Sequence, residues 1–547
     1  MAPLSMPSGN LLTVFFAEND VPEDQPIWIN AKAHEQKIDK ATARNLVCRL
    51  AGGYRSAGLV RGARQDPDVV VLLSENQPLH FPNILAIIAA GGTVATCPWQ
   101  ASVEELLYRV AILRPTAVLC SRQSLETAQQ AQRTVKHPFK IVLQDSATMQ
   151  VWTPSDNKSL ISDHAHSWNR EWNEDIANRT SVIVFSSGTT GYPKGVTISQ
   201  RNIIAMVYQI RSLWSDMLRA QSRWPRLAGT LDSSHVAGML INCFLSLGMG
   251  LTNYLVPGSD INLLISTLER QDVNFLFAVP PILQRLVVHD RWAGLTLPSL
   301  QHVVVGAARC TPELQQAVTR KMAGEGFCQQ GWGMTELTFL ATMPVPGNLG
   351  PWESVGKLLD GNKIKVCADD GSEVQVGEQG EIYISGPATT NGYYGQTDEQ
   401  KRAAFVDEWL RSGDVGFVDA DGYVFITGRN KDLIKYNGAQ VSPKEIEDVV
   451  KTHRSVSDAA VVGLELDNGN ELPTAFVVLK ERTAQDRSRN LDDIATYTAR
   501  HVSPYKRLRG GVYAVEEIPR NAMGKVLYKD LRTMAQEVSG KAVRAKM

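Results

Sequence analysis

Cysteine is scarce and scattered: the seven residues stand at 48, 97, 120, 243, 310, 328 and 367, with no C-x-x-C pair. That spacing offers no zinc site, and the odd total argues against a disulfide framework. The reading is reduced, mostly buried thiols in an intracellular compartment. Net charge is nearly absent, 56 Lys and Arg against 57 Asp and Glu, so neither nucleic acid nor an anionic membrane is an expected general partner. A clean transmembrane run is missing too. The longest apolar stretch, 236–256, is broken by Asn242, Asn253 and three glycines, and reads as a buried helix, a Gly turn and a strand rather than an integral membrane segment. The run LLTVFFA at 11–17 has no basic residues before it and no cleavage site after it, which makes a poor signal peptide. Internal repeats and low-complexity tracts are also lacking.

What is present is alternation. The chain of 547 residues is too long for one core, so two or more domains are expected. VVVLL (69–73), AVLC (117–120), KIVL (140–143), VIVF (182–185), NFLFAV (274–279) and HVVVGAA (302–308) are short β-rich runs separated by helical patterns such as 78–90 and 203–210. This implies α/β layers with largely parallel sheets. After about residue 350 the strands EIYISG (381–386) and GYVFITG (422–428), the latter entered by the turn Asp419-Ala420-Asp421-Gly422, suggest a smaller, more antiparallel region. Ser442-Pro443-Lys444-Glu445 spells a helix start with a capping box. The fold class expected is therefore α/β: a large N-terminal domain of layered α/β subdomains plus a β-rich subdomain (1–430), and a small, mobile α+β C-terminal domain (431–547).

The strand VIVF runs into Ser186-Ser187-Gly188-Thr189-Thr190-Gly191-Tyr192-Pro193-Lys194-Gly195. Glycines that let the backbone approach, several hydroxyls and a lysine make a phosphate cradle, although the spelling is not G-x-x-x-x-G-K-[ST]. The string SSGTTGYPKGV resembles the signature of the adenylate-forming superfamily, which holds acyl-CoA synthetases, firefly-type luciferases and the adenylation domains of peptide synthetases. Four further segments match in order: GAARC (306–310), QGWGMTE (330–336), RSGDVGFVDADGYVFITGRNKDLIKYNGAQVSP (411–443) and PRNAMGKVLYKDLR (519–532). The resemblance spans residues 40 to 532, and LIKYNGAQVSPKEIE is most similar to the 4-coumarate–CoA ligase and luciferase branch.

The resemblance implies an ATP-dependent carboxylic acid–CoA ligase that works through an acyl-adenylate, with Mg²⁺ and coenzyme A as further requirements. The 186–195 loop would hold the β- and γ-phosphates, with Thr190 and Lys194 as the main contacts among Ser186, Ser187, Gly188, Thr189 and Gly191. Thr335 would touch the α-phosphate, and Glu336 would hold the metal, which prefers oxygen ligands. Trp332, between Gly331 and Gly333, would face adenine opposite Gly306, Ala307 and Ala308. Asp414 and Arg429 would take the ribose. Lys525 matches the adenylation lysine, Lys435 a lysine of the thioester half, Lys431 the hinge, and Gln440 a residue near the adenylate phosphate.

His235 matches a gating residue of the acid pocket, lined by Val236, Ala237, Ile241, Gly306 and Gly331. Ala237 and Ile241 stand where coumarate ligases tend to carry hydroxyls, Leu337-Thr338-Phe339 replaces A-G-P, and Arg309 replaces a proline. Those departures point away from hydroxycinnamate, toward an aliphatic medium-chain or simple aryl acid. One alternative is an adenylating enzyme that loads a separate carrier protein; another, of a different class, is a non-catalytic acyl or nucleotide sensor. The terminal Ala545-Lys546-Met547 is close to the S-K-L type, giving a peroxisomal expectation through the import receptor, or else a cytoplasmic one.

Overall fold

The computed structural model describes residues 6–7, 9–17, 19–62, 67–168, 174–186, 193–214, 224–258, 260–368, 370–429, 432–436, 439–466, 470–480, 484–521 and 524–544. It forms two compact units, Met1–Lys363 with Ser385–Leu410, and Ile364–Ile384 with Arg411–Met547. The expected break at 430/431 lies inside the second unit.

The first unit carries β1 (Pro26–Asn30), β2 (Ala33–Asp39), β3 (Val69–Leu73), β4 (Thr93–Thr96), β5 (Ala117–Cys120), β6 (Lys140–Asp145), β7 (Gln150–Thr153) and β8 (Lys158–Ser159). It continues with β9 (Thr180–Ser186), β10 (Lys194–Ser199), β11 (Arg226–Gly229), β12 (Thr252–Leu255), β13 (Phe275–Ala278), β14 (His302–Val305) and β15 (Phe327–Gln330). One sheet has the order β15-β14-β13-β11-β12-β1-β2, the other β10-β9-β4-β3-β5-β6-β7-β8. From β1 through β12, β11, β13 and β14 to β15 every pairing is parallel. In the second sheet β9, β4, β3, β5 and β6 are parallel. These are the apolar runs read from the sequence, and all five residues of β3 are buried, as a strand covered on both faces should be. Consequently the loops after β4, β9, β11, β14 and β15 all leave carboxyl edges of parallel sheets, where ligands of open α/β sheets bind.

The 236–256 stretch is a helix (Val236–Met239), a π-helical turn (Leu240–Leu245), a second helical turn (Ser246–Met249), Gly250 at φ 69°, and β12. The helix, Gly turn and strand were expected; the π turn was not. Its cause is polar: Ser246 Oγ donates to the Ile241 carbonyl at 2.9 Å and Trp28 Nε1 to the Asn242 carbonyl at 2.6 Å, so carbonyls inside the helix are used sideways. Among the described residues no helix is long and apolar enough to cross a membrane. The first unit also holds the short pair β16 (Thr342–Met343) and β17 (Lys357–Leu358).

The second unit brings together β18 (Lys363–Cys367), β19 (Gly380–Ser385), β21 (Trp409–Val418) and β22 (Val424–Arg429); β20 (Phe405–Val406) pairs with Trp409 and Leu410 within the first unit. The turn before β22 forms as expected, with Gly422 at φ 81° and Asp419 Oδ1 accepting from the Tyr423 amide at 2.8 Å. The hairpin β23 (Ile434–Tyr436) and β24 (Ala439–Val441) precedes a second sheet, in which β25 (Val456–Glu465) runs antiparallel to β26 (Glu471–Leu479), and β26 parallel to β27 (Gly511–Ala514). Alternate residues of β25 and β26 serve two cores. Ala459, Val461, Ala475 and Val477 pack with Ile434, Val441, Ile446 and Ile494, while Ala460, Val462 and Phe476 pack with Ile518, Leu531 and Ala535. This is the period-two logic of a strand covered on both sides.

The capping box expected at Ser442 does not form. Ser442 is the N-cap of Pro443–Lys451, but its hydroxyl donates to the Thr427 carbonyl at 3.0 Å, and Glu445 pairs with Lys506. Tertiary partners outbid the local motif.

Candidate active site

β9 and β10 form an antiparallel hairpin whose last register pair is Ser186 opposite Lys194. Ser187, Gly188, Thr189, Thr190 and Gly191 lie outside the described residues, but the two stems that carry them do not. Tyr108 on the helix Val103–Leu113 donates its hydroxyl to the Pro193 carbonyl at 3.0 Å. The Lys194 ammonium stands 5.4 Å from the Tyr393 ring centroid. Ser186 Oγ donates to Glu336 Oε1 at 3.3 Å, and Tyr393 OH donates to the same oxygen at 3.1 Å.

Glu336 is therefore far from a solvated loop carboxylate. It is 7% exposed and belongs to the 3₁₀ turn Thr335–Leu337 after β15. Its carbonyl accepts from the Thr390 amide at 2.8 Å, Tyr394 N donates to the Gly195 carbonyl at 2.7 Å, and Thr338 Oγ1 donates to the Ala388 carbonyl at 2.5 Å. The segment 388–394 thus ties the β9–β10 hairpin to the glutamate turn. Burial, then the charge of Glu336 and the hydrogen bond to it, push the Tyr393 phenol well above its ordinary value, so Tyr393 stays a neutral donor. Sequence reasoning missed Tyr393 and Thr390. The only local signal was Asn391-Gly392-Tyr393-Tyr394, with Gly392 at φ 139°. A buried carboxylate is the kind of oxygen ligand that fits a hard divalent cation such as Mg²⁺.

The sheet edge after β14 and β15 is walled by backbone. Gly306 follows β14 and Gly331 follows β15; a Cβ on Gly306 would meet the Gly331 carbonyl at 3.3 Å, and one on Gly333 would sit 1.8 Å from the Phe339 carbonyl oxygen. Gln330 Oε1 accepts from the Cys310 amide at 2.8 Å, which holds the 306–310 loop beside 330–336. Ala307 sits at φ 67° and Thr338 at φ 62°, a strained backbone of the kind that persists where surroundings impose it. Trp332 is 8% exposed, with its amide donating to Thr342 Oγ1 at 3.2 Å. Ala307 and Arg309 are exposed, and Gly306 and Ala308 half-buried. The structure therefore brings Ser186, Lys194, Gly306, Ala307, Ala308, Gly331, Trp332, Gly333, Thr335 and Glu336 to one end of the parallel sheets.

His235 caps the helix Val236–Met239 in the loop after β11. Burial pushes its ring below the ordinary imidazole value, Arg109 adds to this, and Asp232 opposes it. Val236 and Ala237 are half-buried and Ile241, 1% exposed, lies in the π turn. Gly238 admits no side chain, because a Cβ would lie 2.0 Å from the Asp232 carbonyl oxygen.

In the second unit Asp414 and Arg429 are register partners across β21 and β22, with Arg429 Nε 3.0 Å from Asp414 Oδ1. Asp414 is 5% exposed, and its amide takes a 3.0 Å bond to Ser412 Oγ. Lys435 and Gln440 are backbone register partners in the β23–β24 ladder. Lys525 follows Gly524, which sits at φ 77°, and its amide donates to Asn521 Oδ1 at 2.9 Å. Arg520 braces this turn through Gly524 O at 2.9 Å and Asp458 at 2.8 Å. The residues flanking Lys435 belong to one core of the β25–β26 sheet, and Val526, beside Lys525, packs in the other. The segments that carry Lys435 and Lys525 therefore pack against opposite faces of one small sheet. Lys431 and Ala545-Lys546-Met547 lie outside the described residues.

A hairpin carrying the SSGTTGYPKG motif and tied to a buried glutamate, a glycine-walled sheet edge and an α+β unit with two motif lysines are the features of the adenylate-forming enzymes. The particular family follows from comparison with known proteins. The pattern described as AMP-binding enzyme matches residues 19–394, and that of the AMP-binding enzyme C-terminal domain matches 445–525; the chain belongs to the AMP-binding enzyme family. It is 30% identical to phenylacetyl-CoA ligase epaB of Aspergillus niger over 98% of both chains. It is 29% identical to 4-coumarate–CoA ligase-like 4 of Oryza sativa subsp. japonica, covering 91% of this chain and 90% of that one. Its fold matches ATP-bound MatB from Rhodopseudomonas palustris with a TM-score of 0.82 at 23% identity, over 97% of this chain and 99% of the other. The protein is thus an enzyme of the acid–thiol ligase kind, as its sequence motifs implied.

Proposed function

We propose that the protein activates a carboxylic acid as its acyl-adenylate and then passes the acyl group to coenzyme A. In the first half an acid oxygen attacks the α-phosphorus of ATP and pyrophosphate leaves; in the second a thiolate attacks the acyl carbon and AMP leaves with that oxygen. What supports this reading is that the segments flanking Lys435 and Lys525 pack against opposite faces of one sheet, since two half-reactions at one site need two different catalytic faces presented in turn.

In this reading Lys194, Thr190 and the loop amides grip the β- and γ-phosphates, Thr335 the α-phosphate, and Asp414 with Arg429 the ribose hydroxyls. Trp332 and Gly306–Ala308 enclose adenine, and Gln440 approaches the adenylate phosphate. Glu336, oriented by Ser186 and Tyr393, would hold Mg²⁺, which supplies charge neutralisation of the phosphates. Lys525 bridges the acid carboxylate and the α-phosphate in the first half, and Lys431 is the hinge that exchanges it for Lys435. Positioning and positive charge, rather than a covalent nucleophile, supply the rate.

The small apolar lining at Ala237 and Ile241 supports an aliphatic medium-chain or simple aryl acid. Loading of a separate carrier protein is the second reading. The terminal Ala545-Lys546-Met547 supports peroxisomal import; a fluorescent fusion that stays cytosolic with or without the tripeptide removes that part. The function itself is tested by acid-dependent ATP–pyrophosphate exchange over aliphatic, aryl and dicarboxylic acids, followed by thioester detection. No exchange with any acid refutes the ligase and leaves a non-catalytic sensor. Exchange without CoA thioester transfers the proposal to a carrier protein.

A further inference from the structure

The chain around Lys525 is a closed hairpin. The Asn521 amide donates to the Lys525 carbonyl at 2.9 Å and the Leu527 amide to the Pro519 carbonyl at 2.9 Å, with Arg520 and Val526 as antiparallel bridge partners between them. The root of the hairpin is apolar: Ile518 and Val526 pack with Leu531 and Ala535 against Ala460, Val462 and Phe476. Its tip is held by polar groups. One Nη of Arg520 donates to the Gly524 carbonyl at 2.9 Å and the other to Asp458 Oδ2 at 2.8 Å. That carbonyl belongs to the peptide bond joining Gly524 to Lys525, whose amide donates to Asn521 Oδ1 at 2.9 Å. A peptide is planar, so holding both of its polar ends fixes its orientation and with it the position of the Lys525 Cα.

Asp458 anchors this grip to the sheet. It follows the register irregularity between Val456 and Asp458 in the β25–β26 ladder, the kind of bulge that re-aims a side chain. Its two oxygens are divided between two cations: Oδ2 takes Arg520, and Oδ1 takes Lys451 Nζ at 3.0 Å, from the end of the helix Pro443–Lys451. Burial opposes the charge on Asp458, but Lys451 and Arg520 outweigh it and hold the carboxyl below its ordinary value. The side chains of Arg520 and Asp458 are 33% and 32% exposed, and ion pairs this open add little to stability. What the planar guanidinium supplies is orientation, since its two Nη groups diverge in a fixed fork.

We propose that Arg520 is a positioning residue of the adenylation half-reaction: it orients the Gly524–Lys525 peptide, and so the lysine, while Asp458 fixes its guanidinium to β25. This rests on reading Lys525 as the lysine that bridges the acid and the α-phosphate. Arg520 acts through Lys525 rather than on the reacting atoms. Lys435 lies outside this hairpin, in the β23–β24 ladder, so the thioester half does not use the brace.

The test compares Arg520→Met, Arg520→Lys and Lys451→Met with the wild type and with Lys525→Ala, using an acid that the wild type activates. Each is measured in pyrophosphate exchange and in thioester formation from the synthetic acyl-adenylate and coenzyme A. Arg520→Met is expected to lower the exchange rate about tenfold, less than the ~10²-fold cost of a 1 Å misplacement because the hairpin root stays packed. Its thioester formation should stay within about twofold of the wild type, and its melting temperature should hardly move, as for loss of an exposed ion pair. Arg520→Lys restores part of the exchange, because an ammonium reaches Gly524 or Asp458 without forking between them. Lys451→Met, which removes the other cation on Asp458, keeps wild-type exchange. Wild-type exchange by Arg520→Met, where Lys525→Ala has lost it, overturns the inference while the reading of Lys525 stands. Equal losses in both half-reactions with a lowered melting temperature overturn it in favour of a structural role. A loss in Lys451→Met equal to that in Arg520→Met assigns the effect to the charge balance at Asp458 and overturns it too. Wild-type exchange by Lys525→Ala removes the reading of that lysine, and this inference with it.

Discussion

Gly333→Ala is the perturbation for which the structure gives a magnitude most directly. A Cβ at this position would stand 1.8 Å from the Phe339 carbonyl oxygen and 2.6 Å from Leu340 Cα. Both obstacles are backbone, and real Cβ contacts begin near 3.0 Å, so the loop must yield by about 1.2 Å. The yielding element is the turn carrying Trp332, Thr335 and Glu336. A displacement of ~1 Å at a catalytic group costs on the order of 10²-fold in rate, and overpacking of this kind destabilises by about 1–3 kcal/mol. Acid-dependent pyrophosphate exchange should therefore fall about a hundredfold, with a modest drop in melting temperature. Gly306→Ala is the control for the fold: its Cβ meets only the Gly331 carbonyl at 3.3 Å, which a small adjustment relieves, so the melting temperature should hardly change. Wild-type exchange by Gly333→Ala would show that the 331–336 turn does not set the geometry of the reacting groups.

Other expectations follow from single contacts. Lys525→Ala should lower pyrophosphate exchange by on the order of 10²–10³, the worth of one transition-state donor, while thioester formation from a synthetic acyl-adenylate survives; Lys435→Ala should show the reverse, and equal damage to both halves by either variant would contradict the two-face mechanism. Tyr393→Phe removes a bond to a charged acceptor worth ~1.5–3 kcal/mol, partly replaced by Ser186; exchange should fall about tenfold with the ATP concentration dependence altered, and an unaffected variant would detach Tyr393 from the site. His302 packs against Phe275 and Phe327 with its Nδ1 buried and unpartnered, and burial pushes its ring down to about 4. Because the unfolded chain takes up this proton near pH ~6.5 and the folded one does not until about pH 4, the stability at issue is intact above ~6.5 and lost as pH falls through that window. His302→Phe should therefore gain on the wild type by about 1.4 kcal/mol per pH unit below 6.5, read as a widening gap in denaturation midpoints; a constant gap would refute the assignment.

Much of this architecture was legible because its causes are local or periodic. The strands β3, β13 and β14 announce themselves as short β-branched and aromatic runs, and the phosphate hairpin as glycines and hydroxyls between two strands. The loops after β14 and β15 could be singled out through family motifs. What escaped depends on partners far along the chain. Tyr393 acquires its role from Glu336, 57 residues away, and Ser442 abandons its cap for Thr427. The π turn answers to Trp28. None of these has a sequence pattern, because a hydrogen bond across the fold leaves no spacing to read.

The central claim is an acyl-adenylate, and isotope transfer tests it most directly. An acid that supports pyrophosphate exchange, labelled with ¹⁸O in its carboxylate, is turned over with ATP and coenzyme A, and the AMP is analysed by mass. The mechanism predicts one labelled oxygen in the AMP phosphate and none in pyrophosphate, because the attacking carboxylate oxygen stays with phosphorus when the thiolate takes the acyl carbon. Unlabelled AMP, or label in another phosphate product, would contradict it.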